Sequence, residues 1–143
     1  MSGHPLWTFA HALRKGFGRQ DAAEIAPSLH DDIEWAIFGP IDMFPYLGAR
    51  QGKEAATAAI RQIVGNFRLH KFKQEDVVLG EGSASALLRC SFNAAENGRP
   101  ISVHIATFMR FREDKLTSLR AVIDTFDLVE QALGRPIDLP VTA

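Results

Sequence analysis

"ASALLRCSFNAAENGRPISVHIATFMRF", residues 84–111, is the stretch on which the fold turns. Ala84, Ala86, Leu88, Cys90 and Phe92 alternate with Ser85, Leu87, Arg89, Ser91 and Asn93, the two-residue period of a strand whose faces differ. "ENGRP" supplies an Asn97-Gly98 hairpin turn, and "ISVHIATFMRF" (101–111) is the returning strand. Outward from this pair, "REDK" turns the chain into a last strand, "LTSLRAVID" (116–124). On the other side "HKFKQEDVVL" (70–79) enters through the turn "GEGS". The second half of the chain is therefore a meander of long antiparallel strands.

The first half reads differently. Pro5 suits a first helical turn, and Leu6, Phe9, Ala10 and Leu13 follow at helical spacing until Gly16 and Gly18. Asp21 with Glu24 resembles a capping pair for a second short helix, "DAAEIAPSLH", which Pro27 interrupts. "DIEWAIF" (32–38) is a first strand with Ile33, Trp35 and Ile37 on one face. Residues 39–52, "GPIDMFPYLGARQG", read as a loop carrying Met43, Phe44 and Tyr46. In Lys53–Phe67, Ala56, Ala59, Ile60, Ile63, Val64 and Phe67 form one apolar stripe, the clearest helix. A short helix from Asp127 to Leu133 is closed by Gly134 and Pro136. The order predicts an α+β fold, one curved sheet wrapped around three helices of the N-terminal half. Several strands are apolar on both faces, so the face away from the helices is expected to be covered by a second subunit.

With 143 residues the chain is expected to form a single domain over 1–143, with an irregular tail at 135–143. A chain of that length buries roughly 68–70% of its unfolded surface, enough for a core without disulfides or metal. The formal net charge of −1, from 16 Lys+Arg and 17 Asp+Glu, leaves no electrostatic footprint for nucleic acid or an anionic membrane. Cys90 is the only cysteine, no secretory leader is evident, and no apolar run nears the ~20 residues of a membrane span, so the expected compartment is the cytoplasm. Histidines at 4, 11, 30, 70 and 104 make no metal spacing, and "GEGSAS" opens no helix and so is no phosphate loop; no metal or cofactor is implied.

"LHDDIEW" (29–35), "GP" (39–40), "GARQGKEAA" (48–56), "MRFREDKLTSLR" (109–120) and "DTFDLVEQALG" (124–134), in this order, resemble the nuclear-transport-factor-2-like superfamily. Within it they are most similar to SnoaL-like polyketide cyclases and ketosteroid-isomerase relatives. The resemblance spans residues ~6–134. It implies a cone-shaped roll with an internal apolar pocket open at one end, and a homodimer formed through the outer sheet face. It also implies that Asp124, at the end of the last long strand, is the acid/base of a cofactor-free reaction. The match to true ketosteroid isomerases fails by residue. Their base Asp aligns near Ile37, their oxyanion Tyr near Leu13 and their protonated Asp near Thr107.

Each candidate has two readings. Asp124 is a general acid/base in an apolar pocket, or the N-cap of the last helix. Arg120, four residues earlier and so on the same face, is ~13 Å from it along the strand. It either anchors a polar group of a ligand or is a solvated or interface residue. Thr107 matches a pocket position, which turns His104, of opposite parity, away from the pocket. Trp35 and Ile37 are expected to face inward with Met109 and Phe111, with Phe44 and Tyr46 at the pocket lip; each is otherwise ordinary core. Cys90 reads as a small core residue. The function expected is binding of a small, largely apolar molecule (aromatic, polycyclic or lipid-like), with or without isomerase, cyclase, hydrolase or dehydratase chemistry. The alternatives are a non-catalytic binding module and a dimerisation domain.

Overall fold

A computed structural model of the protein describes residues 3–135. The tail expected at 135–143 lies, beyond Arg135, outside the described residues. Helix α1 (Pro5–Arg19) begins where the His4 ring accepts a hydrogen bond from the Leu6 amide at 3.1 Å, with Pro5 in the first turn. It does not stop at Gly16 and Gly18 as expected but runs to Arg19, and Gln20 closes it in a left-handed conformation. Gly16 serves close packing instead, because a Cβ there would lie 2.5 Å from Ile25 Cδ1. The second helix is also corrected. Asp21 does accept from the Ala23 amide, but Pro27 leaves only two 3₁₀ turns, Ala22–Glu24 and Ala26–Ser28.

Strand β1 (Leu29–Phe38) follows, then β2 (Gly48–Gln51), helix α2 (Lys53–Asn66), β3 (Phe67–Gly80), β4 (Ser83–Ala94), β5 (Pro100–Arg112), β6 (Lys115–Ile123) and helix α3 (Thr125–Leu133). The expected loop at 39–52 thus contains a strand. Glu34–Ile37 of β1 pair antiparallel with Gln51–Gly48. Gly52, with φ +89°, makes the sharp passage from β2 into α2, and its amide donates to the Ile33 carbonyl at 2.8 Å.

One sheet has the order β2-β1-β6-β5-β4-β3. Only β1 and β6 run parallel; the other pairs are antiparallel. The β3–β4 register shifts between Leu69 and Lys71 and again between Gln74 and Asp76. Each shift admits one extra residue, and such bulges bend and twist a strand. They also reset which side chains face inward: Phe67 and Leu69, then Phe72 and Gln74, then Val77. The inner face carries the core. Leu6, Phe9, Ile25, Leu29, Ile33, Ile60, Val64 and Leu116 are all buried in it, beneath α1 and α2. A second cluster, Ile101, Val103 and Leu128, seats α3 on β5. No described helix is long and apolar enough to cross a membrane.

Candidate functional site

The curved sheet does not close completely on its helices. Between them lies a cavity of about 160 Å³. The strands supply alternate residues to its wall: Trp35 and Ile37 from β1, Ala86, Leu88 and Cys90 from β4, Ile105, Thr107 and Met109 from β5, Leu119 and Ala121 from β6. The helices add apolar side chains such as Phe9, Leu13, Ile60 and Val64.

The loop after β1 reaches the cavity because its backbone is folded on itself. Phe44 and Met43 amides donate to the Pro40 carbonyl at 3.0 and 3.1 Å, and the Leu47 amide donates to the Phe44 carbonyl at 3.0 Å. That places Phe44 against Tyr46 and Phe67, with ring centroids 6.0 and 5.7 Å apart. Phe67 continues onto Phe92 at 5.9 Å, and Phe92 onto Phe17 at 5.6 Å. These spacings are those of favourable tilted and edge-to-face aromatic pairs. A chain of rings therefore borders the cavity. Phe17 and Phe92 were not singled out as pocket residues in the sequence, where the first lies between Gly16 and Gly18 and the second is one member of an alternating strand.

The wall carries few polar groups. The Thr107 hydroxyl donates to the Ala86 carbonyl across the β4–β5 pair at 3.2 Å. The indole N–H of Trp35 is buried and has no acceptor within hydrogen-bond distance among the described residues. Among the described residues no Asp, Glu, His, Lys or Arg lines the cavity, so Tyr46 and Cys90 are the only lining side chains there that titrate. Burial, with a smaller contribution from the charge of Glu96, pushes the Tyr46 hydroxyl up to about 12. Burial pushes the Cys90 thiol up to about 12 as well. Both groups are therefore neutral at pH 7. Among the described residues no three His, Cys, Asp or Glu side chains gather as a metal site.

The structure brings Trp35, Ile37, Phe44, Tyr46, Thr107 and Met109 together in the wall. It does not bring Asp124 or Arg120 there. Ala121 faces the cavity opposite Thr107, so Arg120, opposite Phe108, faces out. Asp124 is exposed, and its Oδ1 accepts from the Asp127 amide at 3.2 Å, capping α3. The expectation of an inward carboxylate is corrected: Leu119, Ala121 and Ile123 occupy the inner face of β6, Arg120 faces out, and Asp124 lies past the end of the strand as the N-cap of α3. Phe111 is buried yet lies outside the wall, its ring meeting His4 edge-on at 5.7 Å. His104 points outward, 3.4 Å from Glu75 Oε2. Leu13, Ile37 and Thr107, near which the acids and phenol of a ketosteroid isomerase were expected to align, all line the cavity.

A family model described as SnoaL-like domain matches residues 10–119. A protein of Rhodopseudomonas palustris, provisionally designated an isomerase, is 50% identical over 94% of this chain and 100% of its own, with a TM-score of 0.91. An NTF2-like protein of Burkholderia xenovorans superposes with a TM-score of 0.72 at 21% identity, over 92% of this chain and 98% of its own. A Catenulispora acidiphila protein of ketosteroid-isomerase-like fold, in complex with trimethylamine, gives 0.71 at 13% identity, over 93% of this chain and 97% of its own. No curated protein matches the sequence.

Proposed function

The chain belongs to the SnoaL-like domain family, and on that premise we propose that it binds a small, largely apolar molecule in its cavity without acid–base chemistry on it. The observation that carries this reading is the wall itself, predominantly apolar, with Tyr46, Gln74 and Thr107 its polar side chains and, among the described residues, no carboxylate, imidazole or cation. Size narrows the ligand. An apolar cavity of ~150 Å³ stays dry and takes up benzene, so about 160 Å³ suits one substituted aromatic ring or a compact aliphatic. A polycycle would require the cavity to widen.

A second reading, a proton-transferring isomerase, is favoured by the designation of the Rhodopseudomonas palustris relative. The wall speaks against it. The groups left to move a proton are Tyr46 and Cys90, both with pKa values of about 12, far from the near-neutral value that efficient general acid–base catalysis uses. A second copy of the chain is the proposed protein partner, seated on the outer sheet face, where Phe108 and Val122 are 52% and 47% exposed.

Two measurements test the binding reading. Mass spectrometry of protein purified from its host should find a neutral apolar molecule carried in near-stoichiometric amount. Thermal unfolding should rise with added toluene or ethylbenzene, because a ligand that binds only the folded chain stabilises it. An empty carrier that single-ring aromatics fail to stabilise overturns the proposal.

A further inference from the structure

We propose that helix α3 is the gate of the cavity and Gln131 its latch, so that a ligand enters and leaves beneath α3. The inference rests on the cavity-binding reading and adds the ligand's route. It begins with an unmatched length of strand. β5 starts at Pro100, but its pairing with β6 begins only at Ile105, opposite Ile123, the last residue of β6. Residues 100–104 therefore have β4 on one side and no strand on the other. Backbone N–H and C=O groups on such an edge need partners from elsewhere. Gln131 supplies them for Ser102. Its Oε1 accepts from the Ser102 amide at 2.6 Å, and its Nε2 donates to the Ser102 carbonyl at 2.7 Å. The side-chain amide takes the place of a missing strand residue. Asp127, one turn earlier on α3, accepts from the same Nε2 at 2.8 Å and holds the amide in that orientation.

Beneath this latch the seat of α3 is thin. Among its described side chains only Leu128 is buried, against Ile101 and Val103 of β5. Helix α1 buries six residues and α2 four. Leu128, Ile101 and Val103 all line the cavity, so the contact that seats α3 also closes the hollow at that end. Segments that open locally are those with few buried apolar contacts, and a helix of nine residues has little stability apart from its docking. Lifting α3 uncovers Leu128 and returns two Ser102 groups to water, while the sheet, α1 and α2 stay in place. The rim between α1 and β3 is the competing entrance. There Arg14 donates to the Phe72 carbonyl at 3.4 Å and stands over the Phe72 ring, 5.0 Å from its centroid.

Cys90 is a native reporter of the gate, because it is the only cysteine and lines the cavity. Its modification by methyl methanethiosulfonate, a small neutral reagent, uses no ligand, so the gate can fail while the binding reading stands. Wild type should label slowly. Gln131→Ala removes both bonds to Ser102 and keeps a good helix former; it should label about tenfold faster. Two controls should label as wild type does. Ile33→Val lowers global stability at a fully buried position outside both the cavity wall and the α3–β5 cluster. Arg14→Ala loosens the rim between α1 and β3. If Ile33→Val accelerates labelling as much as Gln131→Ala, the reagent enters by global unfolding. If Arg14→Ala accelerates it instead, the entrance is that rim. If all four proteins label alike, α3 does not control access. Each of these results overturns the gate. Should Gln131→Ala fail to fold, hydrogen exchange of the wild type decides: the Ser102 and α3 amides should exchange at least tenfold faster than those of Ile60 and Val64 in α2, and one common rate overturns the proposal.

Discussion

Thr107 and Ala121 lie directly opposite one another on β5 and β6, and both side chains line the cavity. One step along each strand, Phe108 and Arg120 are likewise opposite and lie on the other side of the sheet. A strand alternates strictly, so this single register fixes which side chains a ligand can touch. Ala121→Leu puts a branched side chain into the hollow beside Thr107. Overpacking a full core costs ~1–3 kcal/mol, but here there is space to receive the added carbons. The variant should unfold cooperatively within about 2 kcal/mol of wild type and lose at least tenfold in affinity for single-ring aromatics. Calorimetric titration checks both halves; undiminished binding would mean the ligand sits elsewhere.

Asp124 separates the cap from the catalyst. Its carboxylate caps α3 through the Asp127 amide. Removing a cap costs ~0.5–2 kcal/mol, while Asn caps as well as Asp. Asp124→Ala should therefore lower stability by about 1 kcal/mol, and Asp124→Asn should be close to neutral. Neither should change ligand affinity or any turnover. A turnover that Asp124→Asn abolishes would restore the acid/base role.

Much of the architecture was legible because it rests on local signals. The alternation in 84–94, the stripe from Ala56 to Phe67 and the turn at Asn97-Gly98 each impose one period or one reversal. What was lost depended on partners remote in sequence. Strand β2 has four residues and exists because Glu34–Ile37 offer it a ladder. The bulges of β3 leave no mark on its composition. Trp35, Ile37, Thr107 and Met109 reach the cavity as parity within β1 and β5 requires, and Phe44 and Tyr46 reach it through the folded loop after β1. The side on which Arg120 lies is decided by pairing Ala121, not Arg120, with Thr107, and β6 ends at Ile123, so strand parity does not reach Asp124, which caps α3 instead.

The outer surface makes a separate prediction. Leu87, Ala106, Val122 and Phe38 are paired in succession across β4, β5, β6 and β1, forming one row. Leu87, Val122 and Phe38 are exposed, and Phe108 stands close by on the same side. A contiguous apolar patch on a sheet face marks an association surface. Val122→Lys places a charge mid-row, where burying it against a second copy would cost several kcal/mol. Sedimentation should show a dimer for wild type and a shift toward monomer for Val122→Lys, with ligand binding retained. A wild-type protein that sediments as a monomer at tens of micromolar would remove the proposed second copy.

Cys90 predicts a pH dependence whose sign follows from its position. Burial raises the thiol from its ordinary 9.0 to about 12. Below pH 9 the folded and unfolded chains both hold the proton, and the group leaves stability unchanged with pH. Between pH 9 and 12 the unfolded chain releases it while the folded chain retains it, so stability falls as pH rises, by at most ~1.4 kcal/mol per pH unit for this group. Tyr46 acts in the same direction between 10 and about 12, more weakly because its residue is only partly buried. Cys90→Ala removes the thiol contribution. Urea unfolding at pH 7, 9 and 10.5 should show wild type losing more stability than Cys90→Ala across the upper interval, whatever the fixed cost of the smaller side chain. The same burial should keep the native thiol silent toward Ellman's reagent at pH 8 until urea exposes it. Equal slopes for the two proteins, together with fast labelling of the folded chain, would mean that Cys90 reaches water and that the wall around it is open.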